Sequence, residues 1–215
     1  MIQTSDREIW RYLGYRGIEP DSKVQAVIDE VLKELERLVR HGYQYRMEPF
    51  STESENILHL GPITVQSTDL AKTLRGCSHV ILIGATLGAA PDQLIRRYEK
   101  TDMLRASIAQ AASAAMIEAY LDDVQEDLSR TYQTQGLYMR PRFSPGYGDL
   151  SLTIQKDMLA VLEMPKRLGV TLTDGLLMVP SKSITAIIGL ASAPVSCTSV
   201  SCALCGKENC AYRKE

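Results

Sequence analysis

The sequence predicts an α+β fold in which a mixed or antiparallel twisted sheet packs against helices. Helical and strand patterns mix along the 215 residues without the regular strand–helix–strand rhythm that a doubly wound parallel sheet requires. Hydrophobic residues make up 45% of the chain, which supplies enough apolar surface for a core of its own.

The clearest helical pattern in the first half spans residues 22–41. Valine, leucine and isoleucine recur there at the i, i+3, i+4, i+7 spacing of an amphipathic helix. Asp21 or Ser22 can cap its start, and Gly42 suits the left-handed residue that often follows a helix. Residues 43–47 then alternate between apolar and polar, which predicts a half-buried strand.

A central strand is predicted at residues 79–84, because a short continuous apolar run is typical of a strand covered on both faces. A turn of small residues leads from it to Pro91, which suits the first turn of a helix. The helical pattern that follows runs over residues 92–133, with a break near Thr101 and Asp102. Its middle is rich in alanine, and such small side chains allow close approach of a helix or a sheet.

The remaining elements have weaker patterns. In chain order they are a strand within 57–66, a helix over 68–75, a strand over 137–143, a helix over 151–164, and strands over 170–179 and 183–190. All these elements fall within a predicted core of residues 1–191, which a cysteine-rich tail of residues 192–215 follows.

The tail contains a candidate metal site. Four of the five cysteines lie in it with the spacing Cys197-x4-Cys202-x2-Cys205-x4-Cys210. The Cys-x2-Cys pair is typical of thiolate sites that hold zinc or an iron–sulfur cluster. The alternative is a set of free or redox-active thiols. The fifth cysteine, Cys77, is most simply a buried small hydrophobic residue.

Charge and hydropathy exclude several classes of partner. The formal net charge is -2 and no run of lysine and arginine is long, so we expect neither nucleic acid nor a membrane surface as partner. No apolar stretch approaches the roughly 20 residues that a bilayer span needs. The polar start of the chain does not have the pattern of a signal peptide, so we expect a cytoplasmic protein.

The strongest local candidate for ligand binding is the turn at residues 142–148. Pro145 and Gly146 set a tight turn in which a ligand can approach the backbone closely. Arg142 offers a planar, always charged fork that matches a carboxylate, and Tyr147 offers a flat face and a hydroxyl. The alternative is a strand-to-helix turn with a surface arginine.

A second candidate is Glu118, which lies in the alanine-rich, otherwise apolar part of the long helix. A carboxylate in such surroundings needs a partner, and a ligand ammonium would serve. The alternative is a glutamate that faces solvent.

Three segments, in the same order, resemble the activation domain of cobalamin-dependent methionine synthase. Residues 142–147, Arg-Phe-Ser-Pro-Gly-Tyr, resemble its Arg-x-x-Pro-Gly-Tyr motif. Residues 117–120, Ile-Glu-Ala-Tyr, are similar to its helix segment with a ligand-binding glutamate. Residues 171–180, followed by 183–185, resemble its two final strands. The resemblance covers residues 104–191 and implies the fold of that domain.

The resemblance also implies an S-adenosylmethionine site within residues 91–191, which follow an N-terminal helix and strand part of residues 1–90. Arg142 would hold the ligand carboxylate, Glu118 would lie near its ammonium or sulfonium end, and the turn would line its adenosyl part. The implied ligand-binding residues are Glu118, Arg142, Ser144, Pro145, Gly146 and Tyr147.

The function that the resemblance implies requires a partner. An activation subunit presents S-adenosylmethionine for the reductive methylation of cob(II)alamin, which a corrinoid-binding protein or a core methionine synthase holds, and a separate electron donor is needed. The chain lacks the Asp-x-His-x-x-Gly pattern of a cobalamin-binding domain, so cobalamin is expected only through the partner. Methionine synthase activity is likewise expected only together with that partner.

The chain departs from the family pattern in three places. The segment between Glu118 and Arg142 is shorter, the last strand lacks the aromatic residue that the family places over the ligand, and the family's N-terminal aspartate contact has no assigned counterpart. Two other functions therefore stay open. One is a redox protein whose cysteine tail holds a metal or iron–sulfur cluster and acts on a corrinoid partner. The other is a non-catalytic S-adenosylmethionine sensor.

Overall fold

The computed structural model describes residues 2–15 and 17–194. The helices are α1 Asp6–Tyr12, α2 Ser22–Leu38, α3 Thr68–Thr73, α4 Ala90–Glu99, α5 Met103–Gln133, α6 Gln155–Val161 and α7 Met164–Leu168, with a 3-10 turn at Leu152–Ile154. The strands are β1 Gly42–Thr52, β2 Ile57–Leu60, β3 Ile63–Gln66, β4 Cys77–Thr86, β5 Tyr138–Met139, β6 Thr171–Leu172, β7 Met178–Val179 and β8 Ser183–Ala191.

Six strands form one antiparallel sheet with the order β3-β2-β1-β4-β8-β5. β4 lies inside this sheet, where Thr86 pairs with Gly42 of β1 on one side and with Ser183 of β8 on the other. β6 and β7 form a separate two-stranded sheet. The predicted α+β class, with an antiparallel sheet packed against helices, is confirmed.

Side chains that alternate along β4 divide the core into two layers. Ile81, Ile83 and Ala85 are buried against α2, α4 and α5, on a face that we call the α5 side. Val80 and Leu82 are buried on the opposite face against α3, α6 and α7, which we call the α6 side. Both faces of β4 are therefore covered, which confirms the central strand that the apolar run at residues 79–84 predicts.

The long helix α5 covers the α5 side of the sheet. Asp102 caps its start by accepting the backbone N–H of Arg105 at 3.1 Å, so the predicted break near Thr101 and Asp102 is confirmed. Most alanines of its middle are buried, and α5 packs against α2 and α4. Pro91 lies in the first turn of α4, as predicted. Among the helices of the described residues, none has both the length and the apolar composition that a membrane span requires.

The segment predicted as one strand over residues 170–179 is a small hairpin instead, so this prediction is wrong. β6 and β7 are joined by a turn in which the Thr173 N–H donates to the Leu177 carbonyl at 2.9 Å. Asp174 and Gly175 lie inside that turn. Their strong turn preference outweighs the strand pattern on either side.

Two other predicted elements are broken. The helix predicted over residues 151–164 is divided into the 3-10 turn and α6, and a further helix, α7, begins at Met164. Glu163 lies between α6 and α7 in a left-handed conformation at φ 49°. The strand over residues 137–143 is reduced to β5 and one bridge from Phe143, since Pro141 has no N–H to donate. The seven-residue helix α1 is too short to show a helical period, and no pattern predicts it.

Replacing Ile83 by alanine is expected to lower the free energy of unfolding by about 2–5 kcal/mol, because it leaves a cavity between β4 and α5. Ile83 is fully buried, whereas Ile18 is 70% exposed, so Ile18→Ala is the matched control. Urea unfolding monitored by circular dichroism measures both. A loss for Ile83→Ala as small as that for Ile18→Ala, within about 0.5 kcal/mol, would contradict the two-layer core.

Candidate functional site

The candidate site lies along the outer edge of β8, where the chain after α5 returns antiparallel to that strand. Beyond β5, Arg140 donates its N–H to the carbonyl of Gly189 at 2.8 Å. Phe143 exchanges two backbone hydrogen bonds with Ile187, at 2.9 and 2.8 Å. Pro141 separates these two points of attachment. An irregular segment therefore closes this part of the β8 edge.

Neighbouring side chains of this segment face opposite sides of the sheet. Arg142 contacts α5 and therefore faces the α5 side. Phe143 packs into the cluster on the α6 side. Because side chains of extended backbone alternate, the bridge that fixes Phe143 also fixes the direction of Arg142.

Arg142 is the centre of a charged group that we call the Arg142 cluster, made of Arg142, Glu118, Asp122 and Gln125. Its guanidinium lies 2.6 Å from Asp122 Oδ1 and 3.1 Å from Glu118 Oε2, and it donates to Gln125 Oε1 at 3.3 Å. The side chains of Arg142, Glu118 and Asp122 are 17%, 31% and 57% exposed. The structure thus brings the predicted residues Glu118 and Arg142 together as an ion pair at the rim of the core.

One face of α5 supplies all three partners of Arg142. Glu118, Asp122 and Gln125 follow the i, i+4, i+7 spacing, which places them along one side of a helix. Leu121 is buried beside them and fixes the rotation of the helix. Asp122 and Gln125 are not among the residues that the sequence predicts for the site. Their helical spacing from Glu118 is the signal by which the sequence indicates them.

The turn at residues 144–147, which we call the Pro-Gly-Tyr turn, is closed by its own backbone. The Tyr147 N–H donates to the Ser144 carbonyl at 3.1 Å, and the Gly146 N–H donates to the Leu150 carbonyl at 2.9 Å. Gly146 has φ 86°, a conformation that favours glycine. Pro145 is buried, whereas Tyr147 is 64% exposed.

The ring of Tyr147 stands edge-on to the ring of Phe143, with 6.5 Å between the ring centroids. Phe143 faces the α6 side, and Arg142 faces the α5 side. The predicted ligand-binding residues therefore line both sides of one sheet edge. Glu118 and Arg142 lie on the α5 side, and the Pro-Gly-Tyr turn lies next to Phe143.

Asp149 ties the end of this turn to α3. Its carboxylate accepts hydrogen bonds from the Ser67 hydroxyl, from the Thr68 N–H at 2.7 Å and from the Asp69 N–H at 3.2 Å. Burial raises the pKa of the Asp149 carboxyl, but these hydrogen bonds outweigh burial and hold the pKa below its ordinary value. Gly148 approaches α3 so closely that a Cβ there would lie 2.6 Å from the Asp69 carboxylate.

A cleft of about 300 Å³ adjoins the Arg142 cluster. Its lining residues include Gln125, Ser129, Gln133, Tyr138, Arg140 and Pro141. A larger cleft, of about 680 Å³, lies between the end of β1 and α3 and contains none of the predicted site residues. The smaller cleft is the better candidate for ligand binding, because Gln125 both lines it and accepts a hydrogen bond from Arg142.

The cysteine tail begins beside the smaller cleft. Pro194, at the end of the described chain, is one of its lining residues. The predicted metal ligands Cys197, Cys202, Cys205 and Cys210 lie outside the described residues.

Cys77 lies in the described part of the chain, where its thiol is half-buried. Burial raises the pKa of this thiol, although the adjacent Arg140 lowers it. Within residues 2–15 and 17–194, no group of three or more His, Cys, Asp or Glu side chains is arranged to hold a metal ion.

No protein-family model and no curated protein matches this sequence. The fold is similar to that of a solved structure described as the crystal structure of the MetH reactivation domain bound to AdoHcy. The TM-score is 0.64 at 15% sequence identity, and the match covers 90% of this chain and 77% of that chain. At this identity the likeness establishes the fold, and it confirms the activation-domain-like architecture that the sequence motifs imply.

Replacing Asp149 by alanine is expected to lower the free energy of unfolding by about 0.5–1 kcal/mol near neutral pH, a value reduced by the solvent exposure of the carboxylate. Because the folded-state pKa lies below the unfolded value of about 3.9, this stabilisation is fully present above that value. It is lost as the pH falls through the lower pKa of the folded state.

Urea unfolding at a series of pH values from neutral to strongly acid measures the difference in free energy of unfolding between the wild type and Asp149→Ala. The same pair in a Ser67→Ala background is the matched control. Ser67→Ala removes one of the three hydrogen bonds to Asp149, so the difference in free energy of unfolding should be smaller there. A difference that stays constant over the whole pH range would show that Asp149 does not anchor the turn.

Proposed function

We propose that this protein is an S-adenosylmethionine-binding activation subunit for a cobalamin-dependent methionine synthase or a related corrinoid methyltransferase. The observation that carries the proposal is the Arg142 cluster, in which a guanidinium and the Glu118 carboxylate meet at an accessible sheet edge. These opposite charges match the carboxylate and ammonium of an amino acid. The likeness of the fold to a reactivation domain bound to AdoHcy supports the choice of ligand.

The amino-acid end of S-adenosylmethionine fits the charges of this cluster. Its carboxylate can accept two parallel hydrogen bonds from the fork of Arg142, and Glu118 can accept hydrogen bonds from its ammonium. Both side chains are partly exposed, so a ligand can reach them. The exchange replaces the ion pair between Arg142 and Glu118 by two pairs with the ligand, so neither of these two side chains loses its counter-charge.

The adenosyl part would lie along the Pro-Gly-Tyr turn. Gly146 has no side chain and is exposed, so a ligand can approach its backbone closely. Tyr147 presents an exposed aromatic ring on which an adenine can stack, while Phe143 supports that ring from the side. Pro145 holds the turn from its buried side, and Ser144 offers a hydroxyl next to it.

In the proposed reaction, S-adenosylmethionine would give up the methyl group of its sulfonium and become S-adenosylhomocysteine (AdoHcy). An external donor would supply one electron, and the corrinoid of a partner protein would receive both the methyl group and the electron. The sequence carries no cobalamin-binding pattern, so we assign the corrinoid to the partner. The role of this chain is to bind the methyl donor at the β8 edge and to present it outward. The same edge would therefore face the corrinoid-binding protein.

We also propose that the cysteine tail holds zinc or an iron–sulfur cluster. The spacing Cys202-x2-Cys205 suits a thiolate site. Cys197 follows Pro194 by only three residues, and Pro194 lines the cleft next to the Arg142 cluster. An iron–sulfur cluster would suit electron delivery to the partner, whereas zinc would have a structural role.

Arg142→Ala is expected to weaken the binding of S-adenosylmethionine by about 10- to 150-fold, because it removes charge-assisted hydrogen bonds to the ligand carboxylate. Isothermal titration calorimetry measures the dissociation constant. Arg130→Ala is the matched control, because Arg130 also pairs with two carboxylates of α5, Glu126 and Asp127, but is 68% exposed. Wild-type binding that Arg142→Ala leaves unchanged would contradict the assigned site.

Methyl transfer separates the proposed activation function from a sensor function. Wild-type protein, S-adenosylmethionine with a labelled methyl group, a core methionine synthase that holds the corrinoid and a chemical reductant are expected to yield labelled corrinoid. At a ligand concentration that does not saturate the variant, Arg142→Ala is expected to lower the yield of label. Ligand binding without any labelled corrinoid would favour the sensor.

The tail cysteines are expected to retain metal when the full-length protein is purified without oxygen. Elemental analysis should show zinc or iron in the wild type, and the double substitution Cys202→Ser and Cys205→Ser should remove it. Cys77→Ser is the matched control and should retain the metal, because Cys77 lies on β4 rather than in the tail. A wild-type protein free of both metals would favour free or redox-active thiols.

A further inference from the structure

The Arg142 cluster contains more negative than positive charge. Arg142 is held by two carboxylates, Glu118 at 3.1 Å and Asp122 at 2.6 Å. Gln125, the fourth member, is neutral. One guanidinium against two carboxylates leaves one negative charge, and Asp122 makes the shorter of the two contacts.

The charges on the neighbouring helix α1 do not cancel this surplus. α1 packs against α5, and its Arg11 is paired with Glu8 at 2.6 Å, so the two together contribute no net charge. Tyr12, beside Glu118, stays uncharged near neutral pH: burial raises the pKa of its phenol, the adjacent Arg11 lowers it, and the Glu118 charge raises it further. Arg140, which lines the adjoining cleft, contacts the Cys77 thiol. Within the Arg142 cluster and α1, the surplus negative charge therefore belongs to the carboxylates of α5.

S-adenosylmethionine carries one more positive charge than its demethylated product. The amino-acid group of either molecule has one carboxylate and one ammonium, and only the methyl donor has a sulfonium. When the ligand carboxylate binds Arg142 and the ammonium binds Glu118, Asp122 loses its guanidinium contact. Its carboxylate then has no counter-charge unless the ligand brings a third charge.

We infer that Asp122 is a specificity-determining residue that makes this site prefer the sulfonium of S-adenosylmethionine over the neutral thioether of AdoHcy. The inference rests on the proposed function and adds to it a residue that the sequence motifs do not include. Asp122 lies one helical turn from Glu118 on the same face of α5, so its carboxylate can act on a ligand that Glu118 binds.

This preference would help the site to exchange product for substrate. Once the methyl group has left, the ligand is neutral while the cluster keeps its negative charge, so AdoHcy has no cation to offer Asp122. Because Asp122 is 57% exposed, solvent screens the attraction between its carboxylate and the sulfonium. This attraction therefore contributes only about 3- to 10-fold to the ratio of the affinities for S-adenosylmethionine and AdoHcy. Screening also makes the preference weaker at high salt.

The test compares the dissociation constants of S-adenosylmethionine and AdoHcy for four proteins: wild type, Asp122→Asn, Asp122→Glu and Asp123→Asn. Asparagine keeps an oxygen that accepts from Arg142 but loses the charge, whereas glutamate keeps the charge. Asp123 is exposed and lies about 100° around the helix from Asp122, so Asp123→Asn is the matched control for charge.

Asp122→Asn is expected to weaken S-adenosylmethionine binding by about 3- to 10-fold while AdoHcy binding changes little, and Asp122→Glu and Asp123→Asn are expected to keep the wild-type ratio. Equal weakening of both ligands by Asp122→Asn would overturn the inference and leave Asp122 as a support for Arg142, with the proposed function intact. A wild type that binds neither ligand would overturn the proposed function and the inference together.

Discussion

The pairing of Phe143 with Ile187 is the constraint on which the candidate site depends. This bridge fixes the irregular segment after β5 to the edge of β8 and sets which side chains face which layer. Arg142 must then point toward α5, where Glu118 and Asp122 neutralise it, while Phe143 packs on the α6 side and supports Tyr147. Pro141 keeps the segment from becoming a full strand, because it has no N–H to add to the ladder.

In the ligand-free protein, the charged side chains of the Arg142 cluster stabilise the structure only by pairing with each other. A guanidinium that is 17% exposed would be costly without its two carboxylates, and each carboxylate would gain little at the surface alone. This mutual dependence suits a site for a zwitterion, since a ligand carboxylate and ammonium can take over the same contacts. In the proposed complex, the free energy of binding would be the difference between the ion pairs of the free site and those made with the ligand.

Local sequence patterns predict those parts of the structure that local interactions determine. The apolar run of β4, the break before α5 near Thr101 and Asp102 and the tight turn at Pro145 and Gly146 all follow from spacing and turn chemistry. The anchor between Asp149 and α3 and the contacts of Arg142 with α5 join residues far apart in the chain, so no single segment reveals that they meet. The spacing of Asp122 and Gln125 from Glu118 indicates only that the three share one face of α5. The strand pattern at residues 170–179 leads to a wrong prediction, because the turn at Asp174 and Gly175 divides the segment into β6 and β7.

A structure of the complex with S-adenosylmethionine tests the central claim most directly. We expect the ligand carboxylate within hydrogen-bonding distance of the Arg142 guanidinium, its ammonium at Glu118, and its adenine against Tyr147. At least one of the two carboxylates that hold Arg142 in the free protein should have moved away from it. A ligand bound in the cleft between β1 and α3, with Arg142 still paired to both Glu118 and Asp122, would contradict the account.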